Sequence, residues 1–447
     1  MFYFLYSMKR VKQLLLLTIF TTMIFPLSKQ VMAGSDDDAL KQRIEMLEKE
    51  LGALKAILTE KGVTPEKPAE PAQKTQKASD GFSIKSYGYV KLDASYNDSR
   101  TVNGNYVIYV PSEGMVKNDN TFNITARQSR LGLDITAPQY DGWITKARIE
   151  ADFYGDGTIA HENKAELMLR HAFLETTRGR LSFLAGQTWD VISPLNPNSL
   201  SYVPGFTSGN TGYRRPQIRV SYNNAIDDVT DILTQFALSR TTGTANEDLY
   251  LDDQYDTGKG FNDGDDSGFP TVQARLALTT KGLAGKKNVI GVSGHYGQEE
   301  VEWISGDKTD YASWSGNIDF VIPLSERFTL SGEAFTGENL DDYFGGVLQG
   351  INTLSRNEIS TTGMWSQVTF AFNSKWQYTA GFCFDNPDTD DLVIGSRDKN
   401  SFYYVNAMFK VLPMLTIGVE YNYYKTEYKG MADGTVNRLQ TSAIFTW

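Results

Sequence analysis

Cysteine occurs once, at Cys383, and histidine three times, at His161, His171 and His295. A lone thiol excludes an intrachain disulfide framework, and three scattered imidazoles argue against a multi-histidine metal site. No nucleophile elbow, H-E-x-x-H pair or glycine-rich phosphate loop is present. The chain therefore reads as a non-enzyme with no cofactor. Positive charge is in deficit, with 43 Lys and Arg against 54 Asp and Glu, the wrong sign for a nucleic-acid partner. The apolar run Leu14 to Phe25 is too short for an ordinary transmembrane helix.

Aromatic residues, by contrast, make up 12% of a chain whose mean hydropathy is −0.36. Both values suit a closed sheet with one face to lipid and the other to water. They also suit a secreted β-sandwich or a carbohydrate-binding protein.

Order along the chain narrows this choice. Residues 1–33 read as a signal peptide: Lys9, Arg10 and Lys12 precede the apolar run, and Val31-Met32-Ala33 forms a small-residue cleavage site. Its removal takes away four basic residues and no acid, so the formal net charge moves from −11 to −15. Within 34–61, Leu40, Ile44, Leu47, Leu51, Leu54 and Leu58 follow alternating spacings of four and three. That is the seam of a short coiled coil, placed in the periplasm as a homo-oligomerisation helix; the spacing alone does not choose two strands or three. Residues 62–80, with Pro65, Pro68 and Pro71, read as a stiffened linker.

From 81 to 447 no stretch has helical periodicity. Segments of roughly 9–14 residues alternate instead between two faces, separated by Gly, Asn, Asp and Pro turns. In Trp143 to Tyr154, Ala147, Ile149, Ala151 and Phe153 share one face, and Lys146, Arg148, Glu150 and Asp152 the other. Sixteen such strands are expected, short connections alternating with long ones, and the chain ends on Trp447. The fold class is an all-β, transmembrane antiparallel barrel preceded by a periplasmic helix, located in the cell outer membrane among lipopolysaccharide and lipid.

Candidate site residues follow from the inward face. Arg127, Arg130, Arg148, Arg170, Arg214, Arg215, Lys146 and Glu150 are expected to line the pore, the guanidinium being suited to hold carboxylates bidentately. Arg219 and Arg275 recur on the same face. The long connection 190–214 differs from the others in carrying Ile192, Leu195, Tyr202, Val203, Pro204 and Phe206 with few acids. It is expected to fold inward as a constriction, with Asp190, Tyr202, Phe206 and Tyr213 at its core. The acidic tract between Glu247 and Asp266 offers Asp252, Asp253, Asp263 and Asp265 as loose external contacts for Ca²⁺ or Mg²⁺, without the spacing of an EF-hand. Trp189, Trp303 and most tyrosines read as wall packing or interfacial girdle, with Tyr87, Tyr89 and Tyr424 as candidates for a lumenal ladder.

Several fragments carry a resemblance. Ser83-Ile84-Lys85-Ser86-Tyr87-Gly88-Tyr89-Val90-Lys91-Leu92-Asp93, Thr125-Ala126-Arg127-Gln128-Ser129-Arg130-Leu131-Gly132, Arg170-His171-Ala172-Phe173 and Leu184-Ala185-Gly186-Gln187-Thr188-Trp189 occur in order. With the preceding heptads and spacer they resemble the DcaP-like family of outer-membrane porins. The resemblance implies a homotrimer of 16-stranded barrels passing small, often anionic organic solutes such as carboxylates by passive diffusion. A specific sugar porin, or a structural or adhesive surface barrel with a plugged lumen, remain the alternatives.

Overall fold

The computed structural model describes residues 76–77, 81–115, 118–155, 164–241, 267–283, 285–303 and 307–447. The proposed signal peptide and coiled coil, almost all of the linker, and the acidic positions Asp252, Asp253, Asp263 and Asp265 lie outside these residues.

One antiparallel sheet closes on itself. Its strands are β1 (Ser83–Asn97), β2 (Thr121–Thr125 and Arg130–Thr136), β3 (Ile144–Asp152), β4 (Met168–Arg178), β5 (Leu181–Trp189), β6 (Arg214–Ala225), β7 (Asp231–Ser239) and β8 (Thr271–Lys281). There follow β9 (Lys287–Glu302), β10 (Lys308–Pro323), β11 (Phe328–Glu338), β12 (Ser360–Ala371), β13 (Trp376–Pro387), β14 (Arg397–Leu412), β15 (Leu415–Tyr428) and β16 (Gly434–Thr446). Each pairs with its sequence neighbour, and β1 pairs with β16 from Tyr89↔Thr446 to Asn97↔Arg438. Closure leaves no unpaired edge for lipid to meet. The second strand is interrupted at 126–129, where Ser129 N donates to Ala126 O in a tight turn. Gln76 and Lys77, inside the proposed linker, pair with Ile84 and Ser83 at the start of β1.

Period-2 alternation fixes the two faces. Val90, Leu92, Leu131, Ile149, Ile218, Phe236, Ile318 and Val405 are exposed on the outside, where lipid rather than water makes apolar side chains favourable. Phe328, Phe370, Trp376, Tyr378, Phe409, Phe445 and Trp447 gather at the short-turn end, with stacked pairs such as Trp376–Phe409 at 4.4 Å. This is the aromatic girdle that such a barrel sets at the membrane interface.

The lumen is not hollow. The connection 98–115, the connection 190–213 and the connection 339–359 all fold onto the inner face of β8 to β16. Val107 and Val110 pack with Trp365, Phe402, Tyr404, Tyr424 and Val436, with Leu195 against them. Ile192 packs with Phe335, Leu340 and Tyr343. A residual open space of about 460 Å³ lies at the short-turn end, lined by Lys85, Asp134, Lys146, Arg148, Phe173 and Glu175 among others.

Candidate functional site

The inner wall of β2, β3 and β4 carries charge because its opposite face must be apolar. With Ile149 and Ala151 directed outward, Arg148, Glu150 and Asp152 turn inward. Register then sets Asp134 of β2 across from Arg148, and Arg130 across from Asp152. Arg148 forks onto Asp134 at 2.7 and 3.0 Å. Arg170 reaches both acids above it, Glu150 at 2.9 Å and Asp152 at 2.6 Å. Arg130 approaches the same pair at 3.4 and 3.8 Å. The Tyr87 hydroxyl donates to Glu150 at 2.9 Å, and the Tyr87 and Tyr89 rings lie 5.0 and 5.3 Å from the guanidinium carbons of Arg148 and Arg130. Side-chain exposure falls along this ladder from 39% at Arg148 to 21% at Arg130 and 7% at Arg170. The accessible path therefore closes in toward Arg170.

Arg170 and His171 are adjacent yet both buried against the lumen. Strict alternation permits only one of them there. The β3–β4 register slips between Glu150 and Ala151, with Glu150 opposite His171 and Ala151 opposite Leu169, so Arg170 has no cross-strand partner. This bulge turns two successive side chains to one face.

The connection 190–213 runs along the opposite inner wall, held by its own backbone. Val191 N donates to Gln273 on β8, Leu195 N to Glu333 on β11, Asn198 N to Gln367 on β12 and Leu200 N to Glu420 on β15, all at 2.7–2.9 Å. Leu200 O accepts from Lys91 Nζ and Gln440 Nε2. Each buried carboxylate or amide on the wall answers a backbone donor that would otherwise be stranded. Asp190 ties the root of the loop, accepting from Tyr213 N, Gln273 Nε2 and Arg215 Nε. At Gly209 the φ angle is 107°, and a Cβ there would sit 2.2 Å from Met364 O and 2.4 Å from Phe384 O. Only glycine lets the loop lie this flat on the β12 and β13 backbones.

Where the loop meets the charged wall, aromatic rings collect. Tyr202 stacks on Tyr154 at 3.7 Å, with Tyr106 at 5.7 Å from Tyr202 and the Arg127 guanidinium 4.9 Å above Tyr154. Burial pushes the Tyr154 and Tyr202 hydroxyls well above the ordinary tyrosine range, so both remain hydrogen-bond donors at physiological pH. Phe206 stacks on Phe344 at 4.8 Å, tying this loop to the connection 339–359. Arg214 packs against Trp189 and Tyr213 at 4.5 and 4.4 Å.

The residues singled out from sequence thus divide. Lys146, Arg148, Glu150, Arg130, Arg170 and Arg127 share one wall, and Arg214, Tyr202 and Tyr213 meet its upper end. Arg215 is instead sealed at 1% exposure between Asp190 and Tyr343, where it anchors the loop root. Arg275 is likewise clamped, on Asp319 at 2.6 Å. Trp189 packs into the loop cluster with Phe206 rather than into a girdle; Trp303 lies under Arg356 and meets Tyr311 edge-on in a small core at the long-loop end. Tyr424 lies buried beneath the loops, whereas Tyr87 and Tyr89 stand on the charged wall. Sequence reasoning missed Asp134, Tyr106, Tyr154 and Met168. It also missed the infolding of 98–115 and 339–359.

Residues 36–244 match the family described as DcaP outer membrane protein. Among solved structures, the barrel resembles the outer membrane channel DcaP of Acinetobacter baumannii, with 18% identity, 83% of this chain and 99% of that one covered, and a TM-score of 0.65. It also resembles an anion-selective porin from Comamonas acidovorans, with 13% identity, 82% and 100% covered, and a TM-score of 0.52. OmpF of Salmonella typhi, solved with daunomycin, matches at 12% identity, 83% and 99% covered, and a TM-score of 0.53. No curated protein matches the chain in sequence.

Proposed function

We propose that this chain, whose residues 36–244 match the family described as DcaP outer membrane protein, is a porin of that family and forms a homotrimeric, water-filled channel through which small anionic organic solutes, carboxylates above all, diffuse passively. The observation that carries this reading is the charge balance of the wall of β1 to β4 and its upper end, accessible at Arg148 and Arg130 and buried toward Arg170. There, among the described residues, Lys85, Arg127, Arg130, Lys146, Arg148, Arg170 and Arg214 outnumber Asp134, Glu150, Asp152 and Glu175. The acids fix the guanidinium groups in place, and the surplus positive charge raises the local concentration of anions. The wall narrows toward Arg170, opposite Tyr202, so Asp190, Tyr202, Phe206 and Tyr213 belong to the constriction: Asp190 and Phe206 hold it, while Tyr202 and Tyr213 face the path.

The anion-selective porin among the structural neighbours is consistent with this reading. So is the proposed N-terminal coiled coil, which tethering to associating barrels would help to assemble. For the acidic positions Asp252, Asp253, Asp263 and Asp265 the proposed role is loose Ca²⁺ or Mg²⁺ contact with neighbouring lipopolysaccharide.

Liposome swelling tests the solute class. Vesicles containing the protein are expected to swell several times faster in a small dicarboxylate than in a neutral sugar of equal size. Faster swelling in the sugar favours the sugar-porin alternative and overturns the anionic reading. No swelling in either solute supports a plugged structural barrel.

A further inference from the structure

Three hydrogen-bond donors converge on a poor acceptor at the upper end of the wall. The Tyr202 hydroxyl and the Tyr213 hydroxyl each lie 3.5 Å from Met168 Sδ, and Arg214 Nη2 lies 3.7 Å from the same atom. A thioether accepts only weakly. Arg214 is 6% exposed, and its Nε has no hydrogen-bond partner among the described residues. Other buried guanidinium groups have good acceptors: Arg170, Arg215 and Arg275 each grip a carboxylate at 2.6–3.1 Å, and Arg438 is held by Gln440, Asn97 and the Asn105 carbonyl. Asp152, the acid that acts on Arg214, is already engaged by Arg170 and Arg130. With its face packed on Trp189 and Tyr213, Arg214 has its donor edge left to offer. Leaving a buried guanidinium without an anion is costly, and the partial exposure of Tyr202, Tyr213 and Met168 leaves the spot reachable.

We propose that Arg214, Tyr202 and Tyr213 form a docking station for the carboxylate group of a passing solute, with Met168 marking the position that the carboxylate oxygens take. Unlike the Arg148 and Arg170 ladder, which acts as a fixed field, this station binds. Two phenolic donors and a guanidinium edge suit the two oxygens of a carboxylate better than a spherical halide, because each oxygen can accept from a separate donor. Met168 is flexible enough to move aside as the solute arrives. The station deepens the anion-porin reading and rests on it for the route by which solute arrives.

The test is planar-bilayer conductance of the full chain in sodium acetate, from millimolar to molar concentration. A binding station makes conductance saturate. Arg214→Gln is expected to raise the half-saturating acetate concentration about tenfold or more, the loss of one charge-assisted contact. Arg214→Lys should do so to a smaller extent, and Tyr202→Phe, which removes one oxygen and keeps the packing, severalfold. Conductance that rises linearly in the wild type, or half-saturation unmoved by Tyr202→Phe and both Arg214 variants, overturns the station. Equal shifts in sodium chloride overturn its carboxylate preference. If acetate saturation tracks Arg214 but the wild type shows no anion preference in potassium chloride, the station stands and the anion-porin reading fails.

Discussion

At Arg148 the guanidinium forks onto Asp134 while leaving more than a third of its side chain accessible. It can therefore act on a solute without losing its support. Arg170 lies deeper and is buried, held by Glu150 and Asp152, so it contributes its charge rather than an accessible surface. Replacing both with Ala leaves Asp134, Glu150 and Asp152 with less compensation, so the wall loses most of its positive surplus. The double variant is expected to lower the anion-to-cation permeability ratio severalfold, read as a change in zero-current potential across a salt gradient. An unchanged potential in a conducting variant would remove this ladder from the path. The residue-scale chemistry was half legible. Alternation alone turned Lys146, Arg148, Glu150 and Asp152 to one face, but the bulge that brings Arg170 and His171 inward together leaves no mark in a period-2 pattern. Nor could the sequence separate Arg214 from Arg215. They are neighbours in the chain, and only the fold gives Arg215 the partner Asp190 while giving Arg214 two aromatic rings.

Among the elements, the connection 190–213 is the one that shapes the lumen. Its apolar side chains and scarcity of acids marked it in the sequence, because a loop meant for water has no use for Ile192, Leu195 and Phe206. What the sequence did not show is how it is held, since Glu333, Gln367 and Glu420 look like ordinary inward polar residues until a backbone lies on them. The infolded connections 98–115 and 339–359 escaped for a related reason. Their contacts are largely backbone and single side chains, as in Thr207 Oγ1 donating to Ile108 O and Arg215 Nη2 donating to Asp342 O. Gly209 gives the element a direct test. Gly209→Val would drive a side chain into Met364 O and Phe384 O, at a cost on the order of 1–3 kcal/mol for forced overpacking. The loop should lift from the wall, lowering the midpoint of thermal unfolding and raising single-channel conductance. A variant with wild-type conductance would show that the loop does not set the bore.

For the whole molecule, the barrel was the most legible feature. Sixteen alternating segments, long and short connections in turn, and an aromatic end are repeated signals, and repetition compensates for the weakness of each strand. The size of the open path was not legible, because it depends on three loops that cover most of the β8 to β16 side and meet the β1 to β6 side only toward its upper end. That asymmetry gives the protein its proposed character: one wall of packed neutral contacts, and one of arginines and lysines held in register by fewer acids. The proposed coiled coil and acidic tract lie beyond the described residues, and the account of selectivity does not depend on them. The proposed anion selectivity rests on the surplus of arginine and lysine along the charged wall of β1 to β4. The most direct test is the zero-current potential of the wild-type protein in a planar bilayer across a potassium chloride gradient. The account predicts a sign showing chloride to be more permeant than potassium; a potential near zero, or of the opposite sign, would contradict it.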